Sequence, residues 1–310
     1  MPLGTNNTTK TTADKFIPEV WEDGVVAGYK SNLVMGNLVT KINHKGKKGD
    51  VIYMPKPVRG SASSKTASNQ VTLVAPTHEQ LTFNIDKHYE YSTLIEDIVS
   101  VQAFNTLRSF HTDDAGYALA KQVDDDLHAL GAGLQGGSAY SAAVIGGDGT
   151  TVWDGSASTN TGNGSTLTDA GIRKMIQTLD DADVPMMGRV MVIPPVEKNT
   201  LTGIARFTEQ AFVGEVGPGN TIRNGRIGEI YGMEVFVSTN CPTIQADDAS
   251  TNYRVGMIFH KEAFVFIEQL GVRTQSQYKQ EYLADLFTAD TIYGVGEMRD
   301  TAGIAFVVPE

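Results

Sequence analysis

The stretch from Lys45 to Tyr91 constrains this chain more than any other, because its strands have too little to bury. It opens on a turn, Lys45-Gly46-Lys47-Lys48-Gly49-Asp50, and continues into a short strand, Val51-Ile52-Tyr53-Met54-Pro55. The next segment, Gly60-Ser61-Ala62-Ser63-Ser64-Lys65-Thr66-Ala67-Ser68, carries almost no apolar side chain. Val71 to Val74 follows. Leu81, Phe83 and Ile85 then alternate with polar residues, the period of a half-buried strand. The pattern predicts a long two-stranded hairpin over about 45–91 with a small, polar, basic tip at Lys56, Arg59 and Lys65. A two-stranded ribbon is barely stable alone in water. The chain is therefore expected to need a neighbouring surface.

The flanks of the hairpin differ in kind. Residues 1–15 are polar and rich in Thr and Asn, with no apolar core to a leader, and read as a flexible tail rather than a signal peptide. From Val20 and Trp21 to Leu38 and Val39, apolar residues recur mostly every three to five positions. That suggests a helix, weakened by Gly24, Gly28 and Gly36 and lying on another surface. After the hairpin, two helices are expected, over about 93–108 and 112–130. Leu94, Ile95, Ile98, Val101 and Phe104 mark the first, and Leu119, Val123, Leu127 and Leu130 the second. Thr112 before Asp113 and Asp114 has the composition of an N-cap with acids in the first turn, and Gly131 and Gly133 form a stop.

Residues 131–166 are low in complexity and predict a surface excursion. Beyond them the pattern alternates. A helix capped by Thr168 presents Ile172, Met175, Ile176 and Leu179, and a buried strand runs from Arg189 to Ile193. A short helix covers 196–204, and strands are expected at 228–231, 233–238, 254–260, 263–267, 273–278, 291–295 and 303–308. The class is α+β with mixed or antiparallel sheet.

Composition narrows the function. The chain has 310 residues, 41% of them hydrophobic, and a formal net charge of −11, which argues against a protein built to coat nucleic acid with a basic face. An acidic wall can still enclose DNA without sequence-specific binding. No run of eighteen apolar residues appears, so no membrane helix is expected. Catalytic and cofactor patterns are poor. Gly131-Ala132-Gly133-Leu134-Gln135-Gly136 matches a dinucleotide fingerprint by letter, but it follows a helix instead of a strand and reads as a helix stop. Asp124-Asp125-Asp126 cannot converge on one ion, since neighbours on a helix point about 100° apart, and reads as a solvated acidic face. Asp148 to Asp154 lacks the calcium-loop order. The six histidines form no metal pair at helical spacing, and the one cysteine, Cys241, reads as a small semi-buried residue. No catalytic, cofactor or metal residue is assigned.

Three stretches resemble the major capsid proteins of tailed bacteriophages, of podovirus or cyanophage type, with the HK97-like fold. They are Phe16-Ile17-Pro18-Glu19-Val20-Trp21 leading to Asn32-Leu33-Val34-Met35; Ile95-Glu96-Asp97-Ile98 followed by Gly116-Tyr117-Ala118-Leu119-Ala120 and Val123-Asp124; and Gly225-Arg226-Ile227-Gly228-Glu229-Ile230-Tyr231-Gly232-Met233-Glu234-Val235-Phe236-Val237-Ser238. Their order along the chain carries the likeness. The resemblance implies an N-arm at 1–44, an E-loop hairpin at 45–91, a P-domain spine helix at 92–134 with return strands at about 254–310, and an A-domain at 135–253. It further implies hexamers and pentamers of an icosahedral virion shell around double-stranded DNA, assembled in the host cytoplasm. The implied partners are a scaffolding protein and a portal, with room for a cement or decoration protein, and no membrane. Trp21, Lys56, Arg59 and Lys65 are the candidate inter-subunit contacts. Lysine–asparagine cross-links known in some members are not carried over, because no partner asparagine is identifiable. Three rivals stand beside this reading: an encapsulin-type compartment of the same fold, a hydrolase or lyase with scattered residues, and a monomeric adhesin or tail component, which the long helix before the Gly-rich loop fits poorly.

Overall fold

The computed structural model describes residues 34–56, 60–71, 73, 78–98, 107–134, 145–149, 164–204, 228–245 and 252–310. In chain order a short helix α1 (Met35–Leu38) leads into strands β1 (Thr40–Asn43), β2 (Val51–Lys56), β3 (Glu79–Asn84) and β4 (Lys87–Glu96). The long helix α2 (Leu107–Gly131) follows, then β5 (Ile145–Gly146), α3 (Asp169–Asp181), β6 (Arg189–Ile193) and α4 (Pro195–Thr202). The rest is strand: β7 (Glu229–Ile230), β8 (Met233–Val237), β9 (Thr243–Gln245), β10 (Asn252–His260), β11 (Phe264–Lys279), β12 (Ala284–Glu297) and β13 (Gly303–Pro309).

Among the described residues the strands form two sheets and a separate ribbon. Seven strands make a mixed sheet in the order β5-β13-β10-β6-β8-β7, with β9 added beside β10. All five residues of β6 are buried, as a continuous apolar run predicts for a central strand. α3 forms where Ile172, Met175 and Leu179 recur at helical spacing and are fully buried. The Thr168 hydroxyl accepts the Gly171 N–H at 3.0 Å and caps it. At about 1.5–3 kcal/mol for each large apolar side chain removed from water, such residues dominate the stability of this layer.

The second sheet has the order β1-β11-β12-β4. Two long antiparallel strands, β11 and β12, form its middle, with register shifts between Glu268 and Leu270 and between Leu270 and Arg273. The strands expected at 263–267 and 273–278 are one strand bent by these irregularities. α2, about 37 Å long at 1.5 Å per residue, packs Ala115 and Leu119 against Phe287, Ala289, Tyr89 and Tyr91.

Two helix expectations fail here. Leu94 and Ile95 lie in β4, not in a helix over 93–108, because β4 continues the alternation of Tyr89, Tyr91 and Thr93 and pairs with β12. Asp97 and Ile98, just past β4, are helical, 99–106 lies outside the described residues, and Leu107 and Arg108 open α2. Thr112, Asp113 and Asp114 are interior to α2, which begins five residues earlier, at Leu107. Thr112 and Asp113 lie on its exposed side. Of the helix expected over 16–39, the structure describes only the end. There α1 occupies four residues before the chain turns into β1.

The hairpin is real but shorter than its sequence signature. β2 and β3 pair antiparallel from Val51↔Asn84 to Lys56↔Glu79, and Lys87–Glu96 leaves for the four-stranded sheet. Val71 and Leu73 belong to no strand and are exposed.

Candidate functional site

The root of the ribbon is held firmly. Phe83 and Ile85 bury against Val265 and Ile267, with Ile42, Ile52, Met54 and Leu81 packed around them. The backbone continues the attachment: Ile85 N–H donates to Asp50 O at 2.7 Å, and Gln269 Nε2 donates to the carbonyls of Lys47 and Gly49. Gly294 makes the approach close enough, since a Cβ there would sit 2.4 Å from Asn84 O.

Among the described residues beyond the root, no comparable contact holds the ribbon. Lys56 pairs with Glu79 at 3.3 Å, both well exposed, a contact worth about 0–1 kcal/mol. Lys65 is exposed. Tyr53 is 62% exposed and Leu73 is 89% exposed, so the outer ribbon offers apolar groups as well as charge. Arg59 and Trp21 lie outside the described residues.

A second exposed apolar set gathers at the far end of the four-stranded sheet. Leu283 O accepts the Asp97 N–H at 3.0 Å and Tyr278 Oη donates to Asp97 Oδ2 at 2.7 Å. These bonds bring Leu94, Ile98, Tyr278, Tyr282 and Leu283 to one tip, all exposed. Among the described residues β4 is the last strand of that sheet, and it is ten residues long. A long edge strand is a ready partner for another chain.

α2 also carries a buried polar hub. Asp124 on α2 is 2% exposed. Its Oδ1 accepts the backbone N–H groups of Val34 at 3.1 Å and Met35 at 2.8 Å, where the chain enters α1. Its Oδ2 accepts Asn240 Nδ2 at 2.9 Å and faces His128 Nε2 at 3.4 Å. Burial opposes ionisation, but the His128 imidazole, the Asn240 amide and the Met35 N–H outweigh it and hold the carboxyl below the usual aspartate value. The acidic run is therefore not a solvated face. Asp126 accepts the Tyr293 hydroxyl at 2.6 Å, and Asp125 takes Lys121. Tertiary partners at Val34, Asn240 and Tyr293 are invisible in a local pattern.

The other buried ionisable groups are also engaged in structure. Burial pushes the Glu197 carboxyl up while Leu167 N–H donates to it. Burial pushes the Cys241 thiol up to about 12. Native Cys241 should therefore resist iodoacetamide at pH 8 and react fully in urea; rapid native labelling would contradict its placement. Among the described residues no group of three or more His, Cys, Asp or Glu is placed to hold a metal, and no helix is long and apolar enough to cross a membrane.

The family described as phage capsid protein matches residues 96–305, about two thirds of the chain. The chain belongs to the phage capsid protein family. As a major capsid protein it is a structural component of the virion, forms an icosahedral phage head with copies of itself, and is not an enzyme. Solved structures show the HK97-like fold. One from Mycobacterium phage Che8 is 22% identical with a TM-score of 0.73, covering 98% of each chain. The capsid of cyanophage P-SCSP1u is 17% identical with a TM-score of 0.74, covering 99% of this capsid protein and 97% of that chain. The acid-stable capsid of Helicobacter pylori bacteriophage KHP30 is 11% identical with a TM-score of 0.70, covering 99% of each. No curated protein matches.

Proposed function

We propose that the capsid protein assembles through hexamers and pentamers, with the outer hairpin of each copy laid on its neighbour. The carrying observation is the contrast within the ribbon: a root buried against Val265 and Ile267, and an outer part exposing Tyr53, Leu73 and Lys65. Burying those groups between copies removes apolar surface from water, and many weak contacts add through multivalency. In this reading residues 1–44 are an arm, 45–91 the extended loop, 92–134 with 254–310 the domain built on α2, and 135–253 the second domain. Trp21, Lys56, Arg59 and Lys65 contact neighbours. The shell, acidic overall at −11 per chain, encloses double-stranded DNA without binding its sequence. A scaffolding protein shapes it, a portal occupies one vertex, and a cement protein can decorate it.

The double variant Arg59→Glu with Lys65→Glu tests the tip. Its circular dichroism and melting temperature should match the parent, while the concentration needed for shell formation rises at least tenfold, read by light scattering. Shells forming at the parental concentration would remove the basic tip from the assembly mechanism.

A further inference from the structure

One side of β11 is only half covered. β1 pairs parallel with its first part, from Thr40↔Val265 to Asn43↔Glu268, and the His44 N–H donates to Glu268 O at 2.9 Å. The chain then turns off into the hairpin. Past Glu268, among the described residues, β11 pairs with β12 alone. Every residue from 272 to 278 is exposed, on both faces of the strand. β4, at the opposite edge, alternates exposed with half-buried residues instead. In an antiparallel pair, alternate residues turn both N–H and C=O away from the partner strand. Along this half of β11 those groups form a template for another strand. The same chain holds a strand-forming segment without a sheet. Val71-Thr72-Leu73-Val74 has the composition of a strand, and Pro76 closes it. Val71 and Leu73 are nevertheless exposed and belong to no strand. Edge and segment are both open to water within one chain, so they do not meet there.

We propose that residues 71–74 of one copy add as a strand to the open edge of β11, residues 272–279, in a neighbouring copy. The proposal rests on the reading that the outer hairpin lies on a neighbour, and it names the place where the hairpin lies. Backbone pairing satisfies the edge N–H and C=O groups, and alternate side chains of the added strand supply the fit. Val71 and Leu73, two positions apart, fall on one face of it. The exposed Tyr278, Tyr282 and Leu283 at the end of the edge give that face an apolar surface to cover. Charge favours the same match. From 57 to 78 the sequence carries Arg59 and Lys65 and no carboxylate. The far part of the four-stranded sheet exposes Glu90, Glu96, Asp97, Glu281 and Asp285. The cations of the open edge are Arg273 and Lys279, and Asp290 holds the Arg273 guanidinium at 3.0 and 2.7 Å. A basic segment therefore meets an acidic surface, and complementary charge also fixes which surfaces meet.

Cysteine pairs in the full-length chain test the contact. Leu73→Cys is combined in turn with Thr274→Cys, Gln275→Cys, Ser276→Cys and Gln277→Cys; each variant is assembled, oxidised and run on a non-reducing gel. Native Cys241 is buried and stays out of the reaction. Linkage should shift the chain from a monomer band to a ladder of multimers. It should alternate along β11, strong at every second position, because successive strand residues face opposite sides. Leu73→Cys alone, and Leu73→Cys with the exposed Met187→Cys on the other sheet, should stay monomeric on the gel. If a Leu73→Cys variant does not assemble, the matching Val71→Cys series decides, since Val71 shares that face. Absence of linkage to all four positions, or equal linkage to all of them, in shells whose hairpins still overlie neighbours in electron micrographs would overturn the strand pairing and leave the hairpin reading standing. Shells whose hairpins touch no neighbour would overturn both.

Discussion

Asp124→Ala should lower the unfolding free energy of the subunit by about 3–5 kcal/mol, the range for breaking a buried, charged network by removing one partner. The carboxylate is acceptor to two backbone N–H groups and the Asn240 amide, and it faces His128. Alanine would leave all of them buried and short of a partner, and each unsatisfied donor costs about 1–3 kcal/mol. Urea unfolding measures the loss. Amide exchange at Val34 and Met35 should rise sharply in the variant, because these two N–H groups fix the point at which the chain enters α1. Asp124→Asn keeps one acceptor oxygen and should lose about half as much. The pH dependence has a definite sign. The folded-state value of Asp124 lies below 3.8, so its contribution is present at neutral pH and is lost only as pH falls through that lower value. Destabilisation of Asp124→Ala by less than about 1 kcal/mol would contradict the hub.

Gly294→Val should release the hairpin root. A Cβ at Gly294 meets Asn84 O at 2.4 Å, and Asn84 C and Ile85 Cα at 3.2 Å, all backbone atoms that cannot rotate away. The root must shift, at a cost of about 1–3 kcal/mol or more, and Phe83 and Ile85 lose their fit against Val265 and Ile267. Two readouts should move together: urea stability falls, and the Ile85 N–H, which donates to Asp50 O, loses exchange protection. Gly296→Ala is the comparison. Its Cβ would meet the Phe83 ring at 2.5 Å, and a ring can tilt, so the loss should be smaller. Equal effects would mean that the close backbone approach at Gly294 does not position the ribbon.

The parts of this molecule legible in its sequence are those set by local period and punctuation. Thr168 and the spacing of Ile172, Met175 and Leu179 announce α3, the apolar run Val190–Ile193 announces a central strand, and the alternation of Leu81 and Phe83 announces β3. The failures are equally physical. Leu94 and Ile95 fit a helical stripe and a strand alternation alike, and pairing with β12 decides for the strand. Thr112-Asp113-Asp114 has the composition of a cap, but tertiary packing of Ala115 and Leu119 carries the helix straight through it. Asp124 looked like one member of an exposed acidic run. Its partners at Val34 and Asn240 lie 90 and 116 residues away, beyond the reach of any local pattern. The exposed tip of Leu94, Ile98, Tyr278, Tyr282 and Leu283 was hidden for the same reason, since two strands and a turn bring it together.

Electron microscopy of the purified chain, concentrated stepwise, tests the account most directly. The predicted result is curved shells, closed or partial, in which the outer hairpin of each copy overlies its neighbour in rings of six and five. A monodisperse monomer at every concentration, with Tyr53 and Leu73 still open to solvent, would contradict it.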